Sequence, residues 1–179
     1  LLENQFSPIT DMAGFIQVPL EEFGEFELTC RRRFNPTHEI DHFEGDLAQG
    51  LKRLEPLYVT RLLLISTDSP WTAVFCDDPS TTISYGTRTL ERPGLLVSCL
   101  EDTIDQKTGK GVPGGVQMFL FAGKPDSSTN EQRILMAIRG DTSWVFENEG
   151  NPLPFEKPER YRARRIRDRF TPEMLEEYC

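Results

Sequence analysis

The chain has 179 residues, 37 % of them apolar and 10 % aromatic, enough for a packed core and within the roughly 100 to 200 residues usual for one domain. No run approaches the roughly 18 apolar residues of a membrane span. The opening "LLENQFSPIT" has neither a basic n-region nor an apolar h-region, so a cytoplasmic protein without a membrane segment is predicted. The net charge of −9 is uneven: residues 1–50 hold ten acids against Arg31, Arg32 and Arg33, a balance of −7. A field of that sign repels nucleic acid and steers basic partners inward.

In chain order, the first patterned stretch is 15–34. Phe23, Phe26, Cys30 and Phe34 recur at helical spacing, while Phe26, Leu28 and Cys30 also alternate as in a strand. Pro19 suits a first turn, Glu21 and Glu22 the positive dipole end, and Arg31 to Arg33 the negative end, which predicts a helix at about 19–33. Asp46 and Gln49 have capping-box spacing before Leu47, Leu51 and Leu54, so a second helix should start there and end at Pro56. The apolar, β-branched runs 60–67 and 71–77, parted by "DSP", predict a hairpin.

Ile83, Thr87 and Leu90 behind Asp78-Pro79-Ser80 predict a helix over 80–91, against threonines that favour extended chain. Segments 94–100, 115–121 and 133–139 are almost continuously apolar and predict central strands covered on both faces. A strand at 142–147 would return through a Gly140-Asp141 turn. The polar segments 102–115 and 123–132 are expected as loops on one side of the sheet. The tail has seven basic residues between Lys157 and Arg169 and then a helix from Thr171, with Pro172 in its first turn. Six acids bring residues 151–179 to only +1, which predicts a solvated or acid-paired segment rather than a nucleic-acid patch. Together these elements predict a single α+β domain over 1–179: an acidic, mainly helical part (1–56), a largely antiparallel sheet of about six strands with helices packed on it (57–150), and the tail (151–179).

His38-Glu39-Ile40-Asp41-His42 spells H-E-x-x-H, the zinc-peptidase signature, in which a helix puts both imidazoles on one face and the Glu polarises the metal-bound water. The chemistry needs a helix, a third ligand and a dry bed. The chain has only these two histidines, Asp41 lies between them, and Pro36 and Gly45 leave room for barely two turns. An acidic connector is the expected reading, and a metal-dependent hydrolase with His38 and His42 as ligands and Glu39 as base is the alternative. Cys30, Cys76, Cys99 and Cys179 form no C-x-x-C pair; Cys76 and Cys99, inside apolar runs, are expected as reduced core thiols. No phosphate-loop, nucleophile-elbow or dinucleotide signature occurs, and no cofactor is predicted.

Trp71-Thr72-Ala73-x-Phe75, Trp144-x-Phe146, Gly150, Pro154-Phe155-Glu156, Tyr161, Arg167-Asp168-Arg169-Phe170 and Leu175 to Tyr178 form a pattern over roughly 56–179. It resembles small uncharacterised bacterial α+β proteins, some of them similar to immunity proteins of polymorphic toxin systems. The physical reading of the same residues is that Trp71, Trp144 and Phe146 are sheet-core aromatics, with Phe155 and Tyr161 anchoring the tail. What the resemblance implies is a cytoplasmic, non-catalytic binding protein that neutralises a basic, nuclease-like toxin. Glu21, Glu22, Glu25, Glu27, Asp41, Glu44 and Asp46 would then supply the charge that meets the partner.

Overall fold

Residues 7, 10–54, 61–105, 108–124, 131–140 and 143–178 are described in a computed structural model of the chain. The strands are β1 (Met12–Ile16), β2 (Leu63–Ser66), β3 (Thr72–Phe75), β4 (Gly94–Leu100), β5 (Gly115–Phe121), β6 (Glu131–Arg139) and β7 (Trp144–Glu149). The helices are α1 (Leu20–Arg32), α2 (Leu47–Leu54), α3 (Pro79–Leu90) and α4 (Pro172–Tyr178). All seven strands join one antiparallel sheet in the order β2-β3-β1-β4-β5-β6-β7, so the α+β expectation holds with one strand more than foreseen.

The additional strand is β1, five residues that sit between β3 and β4. Its sequence, MAGFI, is short and broken by Gly14, so periodicity gave no strand signal. That glycine has a packing reason: a Cβ there would lie 2.4 Å from Ile83 Cγ1, because α3 lies directly on the strand. The α3 helix starts where Asp78 caps it, accepting from the Ser80 amide at 2.9 Å, with Pro79 in the first turn. In α2, Asp46 accepts from the Gln49 amide at 2.8 Å, the expected capping geometry. The predicted end of that helix at Pro56 lies outside the described residues.

The sheet is covered unequally. On one face, Phe23 of α1 and Ile83 of α3 pack on Ile16, Val74 and Leu96. On the other, Leu51 and Leu54 of α2, Tyr161 and Phe170 of the tail and Leu175 of α4 pack on Phe75, Val97, Met118 and Leu135. The expectation that 94–100, 115–121 and 133–139 are all covered on both faces is met only near α3, which contacts β1 and β4 while α1 contacts β2. Along β6 the burial alternates: Arg133, Leu135 and Ala137 are buried, and Ile134, Met136 and Ile138 between them are half-buried. The polar loops also differ from expectation. Antiparallel pairing places the β4–β5 and β5–β6 connections at opposite ends of the sheet.

The tail is fixed by a buried ion pair. Arg133 and Glu156 have side chains with no solvent exposure and meet in a bidentate fork, Nε to Oε1 at 2.8 Å and a terminal nitrogen to Oε2 at 2.5 Å. The remaining Arg133 donors reach Asn148 Oδ1 and the Glu149 carbonyl, both at 2.7 Å. Glu156 also accepts from the Leu153 amide at 3.0 Å and the Tyr161 hydroxyl at 2.6 Å. Burial opposes ionisation of Glu156, but the donors from Arg133, Tyr161 and Leu153 outweigh it and hold its carboxyl below the usual range. Burial also lifts the Tyr161 phenol far above its ordinary value, and donation to Glu156 reinforces the shift.

The aromatic assignments need correction. Trp71 precedes β3 and Trp144 opens β7, and both are half-buried at strand ends rather than central. The core positions are held by Phe75, Val97, Met118 and Leu135. Tyr161 is a tail anchor, 5 % exposed and 5.9 Å from the Phe146 ring, whereas Phe155 is 49 % exposed and only leans on Tyr178 at 5.7 Å.

Because removing one member strands a buried charge, Glu156→Ala is expected to lower the unfolding free energy by about 3–5 kcal/mol in denaturant titration. The double variant Arg133→Met with Glu156→Leu should recover most of that loss. The stabilisation from Glu156 is full above the ordinary carboxylate pKa and is lost as pH falls through its lowered folded value. A denaturation midpoint that falls with acidification in the wild type, and less so in the double variant, checks this.

Candidate functional site

The acidic region is built on α1 and on the connector 36–46. Glu21 and Glu22 sit in the first turn of α1, where the helix dipole favours negative charge, and Glu25 follows; all three are exposed. Asp41, Glu44 and Asp46 are exposed on the connector, Asp46 being also the α2 cap. The connector approaches α1 at Gly24, where Ile40 Cδ1 would lie 3.8 Å from an added Cβ.

This connector is irregular in backbone but tied at both ends. Arg32 Nε donates to the His38 carbonyl at 2.9 Å, and Arg53 pairs with Asp41 at 3.0 Å while lying 4.5 Å over the Phe43 ring. Phe43 in turn packs against the core. Asp41 is therefore held in place by its neighbours, while Glu21, Glu22, Glu25 and Glu44 present open carboxylates.

Glu27 does not belong to the exposed set. It is 7 % exposed and its carboxylate takes the Arg31 Nε at 3.0 Å, one turn further along the same helix. Burial raises its pKa above the usual carboxylate value, with Arg31 acting in the opposite direction. It anchors α1 and cannot meet a partner without moving.

Phe34 is the last of the helically spaced aromatics. The helix ends at Arg32, and Phe34 projects from the turn that follows with 92 % exposure, whereas Phe23 on the same spacing is fully buried. The spacing puts Phe34 in line with Phe23, but the predicted helix end at about 33 already leaves it outside, and the observed end at Arg32 agrees within a residue. Phe34 follows the exposed Arg32 and Arg33 at the C-terminal end of α1, the end opposite Glu21 and Glu22.

His38 and His42 lie in the non-helical connector, so the backbone that H-E-x-x-H requires is absent. His38 Nδ1 is 2.9 Å from the Asn35 carbonyl, and no group of three or more metal-binding side chains occurs among the described residues. Burial disfavours the thiolate at two cysteines, pushing Cys76 up to about 11 and raising Cys99 as well. In the tail, Lys157 and Arg160 both pair with Glu177, and Arg169 lies 5.5 Å over Phe146.

Comparison with family models, with curated proteins and with solved structures gives no significant match. The class that fold and site define is an antiparallel α+β domain with an acidic exposed helix and connector and an exposed aromatic between them.

Replacing both His38 and His42 with Ala is expected to change unfolding free energy by no more than about 0.5 kcal/mol, as at ordinary surface sites. A loss of several kcal/mol, restored only with zinc, would instead mark a structural metal.

Proposed function

We propose that this chain is a non-catalytic bacterial binding protein of the immunity type, acting in the cytoplasm on a basic, nuclease-like toxin domain. The observation that carries the reading is Phe34, 92 % exposed at the junction of α1 and the acidic connector. An exposed aromatic supplies the apolar anchor that an interface centre needs, and the carboxylates of Glu21, Glu22, Glu25 and Glu44 supply long-range attraction to a cationic surface. The two have separable consequences, since buried anchors govern dissociation and rim charges govern association. The acidic field also competes for the surface that a basic nuclease offers to nucleic acid.

Capture from native host lysate at low salt, followed by binding kinetics with the recovered basic domain, tests this. Phe34→Ala should weaken the complex by roughly tenfold or more through faster dissociation, as for an interface hot spot. The triple variant Glu21→Lys, Glu22→Lys, Glu25→Lys should mainly slow association and flatten its salt dependence. Recovery of no protein partner, or kinetics indifferent to both variants, would contradict the reading.

A further inference from the structure

A second feature lies on the sheet face opposite α1. There the helices leave a cavity of about 340 Å³. Its floor is Ala13 and Phe15 of β1 with Ala73 and Phe75 of β3, and its walls include Leu47 of α2 and Leu175 of α4. The hollow follows from the sequence: Ala73 is registered between Phe15 and Ile65, and Ala13 beside Val97, so small side chains occupy sites ringed by large ones.

Three polar residues break this apolar lining: Thr67, whose hydroxyl is taken up in the β2–β3 turn by the Trp71 carbonyl and Ser69, and Thr10 and Glu176. Thr10 is 1 % exposed, lines the cavity, and its hydroxyl has no hydrogen-bond partner. A buried, unpaired hydroxyl is costly and uncommon in native structures. Glu176, exposed on α4, also lines the cavity. The Cys99 amide donates to the Asp11 carbonyl at 2.9 Å, which places Thr10 at the Cys99 end of the strand pair. Among the described residues Glu176 is the one charged side chain that lines the cavity, and no Lys or Arg does.

We propose that this cavity is a small-molecule site for a primary amine with an aromatic or alkyl body, the body filling the space over Ala13 and Ala73 and the ammonium meeting Thr10 and Glu176. A water cluster fits poorly, because each buried water needs about two to four polar partners and this lining offers one buried hydroxyl. The volume is about twice the roughly 150 Å³ of an apolar cavity that accepts benzene, and it falls in the range of ligand pockets. A carboxylate or phosphate ligand would face Glu176 with no Lys or Arg among the described lining residues. An ammonium can give one of its three donors to the Thr10 oxygen, another to Glu176, and the last to water at the mouth.

The probe is 1-naphthylmethylamine, titrated calorimetrically against the full chain at neutral pH, with 1-naphthylacetate as the anion of the same body. Saturable one-to-one binding of the amine, at least about tenfold tighter than the acetate, is expected. Ala73→Leu should fill the cavity and abolish binding with the fold intact by circular dichroism. Exposed Glu176→Gln, which leaves the core untouched, should bring amine and acetate to within about threefold of each other. Absence of saturable amine binding, equal affinity for the acetate in the wild type, or an undiminished amine preference in Glu176→Gln would each overturn the proposal.

Discussion

Arg133 and Glu156, 23 residues apart, place opposite charges where solvent does not reach, and the layout of the molecule depends on their staying together. Such a pair is tolerated only if hydrogen bonds satisfy both groups, since taking two ions out of water costs several kcal/mol each. Here Asn148 and the Glu149 carbonyl hold the guanidinium from β7, while Leu153 and Tyr161 hold the carboxylate from the tail. Tyr161 then passes the connection on: its hydroxyl reaches that of Tyr178 at 3.3 Å, which accepts from the Lys157 amide at 2.9 Å. A segment with no strand of its own thereby becomes a layer of the domain, and α4 is delivered to the sheet face where its Leu175 helps enclose the cavity.

The helices and most strands were legible because their signals are local. Asp46 caps where its spacing predicted, the helix expected after Asp78-Pro79-Ser80 forms, and the β-branched runs pair as the hairpin β2–β3. What escaped depends on distance along the chain. The five residues of β1 are a strand because β3 and β4 hold them on either side, with Gly14 making room for Ile83, and no window of sequence contains that information. The Arg133–Glu156 contact is of the same kind. An arginine in an apolar run reads as a strand end, and only its partner on another segment explains why it is 1 % exposed.

Of the candidate site, the negative charge was legible and its geometry was not. Composition alone put the carboxylates in the first fifty residues, yet it could not separate Glu27, turned inward onto Arg31, from Glu21, Glu22 and Glu25, turned outward. Helical spacing likewise could not separate Phe23, buried against Val74 and Ile83, from Phe34, two residues beyond the helix end. The outcome is a division of the molecule by face: α1 and the connector carry charge and an exposed ring, whereas the opposite face carries a hollow lined by alanines.

That division requires the tail to be locked by its ion pair rather than by apolar contact alone, and amide hydrogen exchange measures this segment by segment. In Glu156→Gln, which keeps the shape of the side chain and removes its charge, amides of 158–178 should exchange at least roughly tenfold faster than in wild type, with β1, β4 and β5 keeping their protection. Wild-type protection across 158–178 in that variant would contradict the account, because it would mean that Phe170, Leu175 and Tyr178 hold the tail without the charge beneath them.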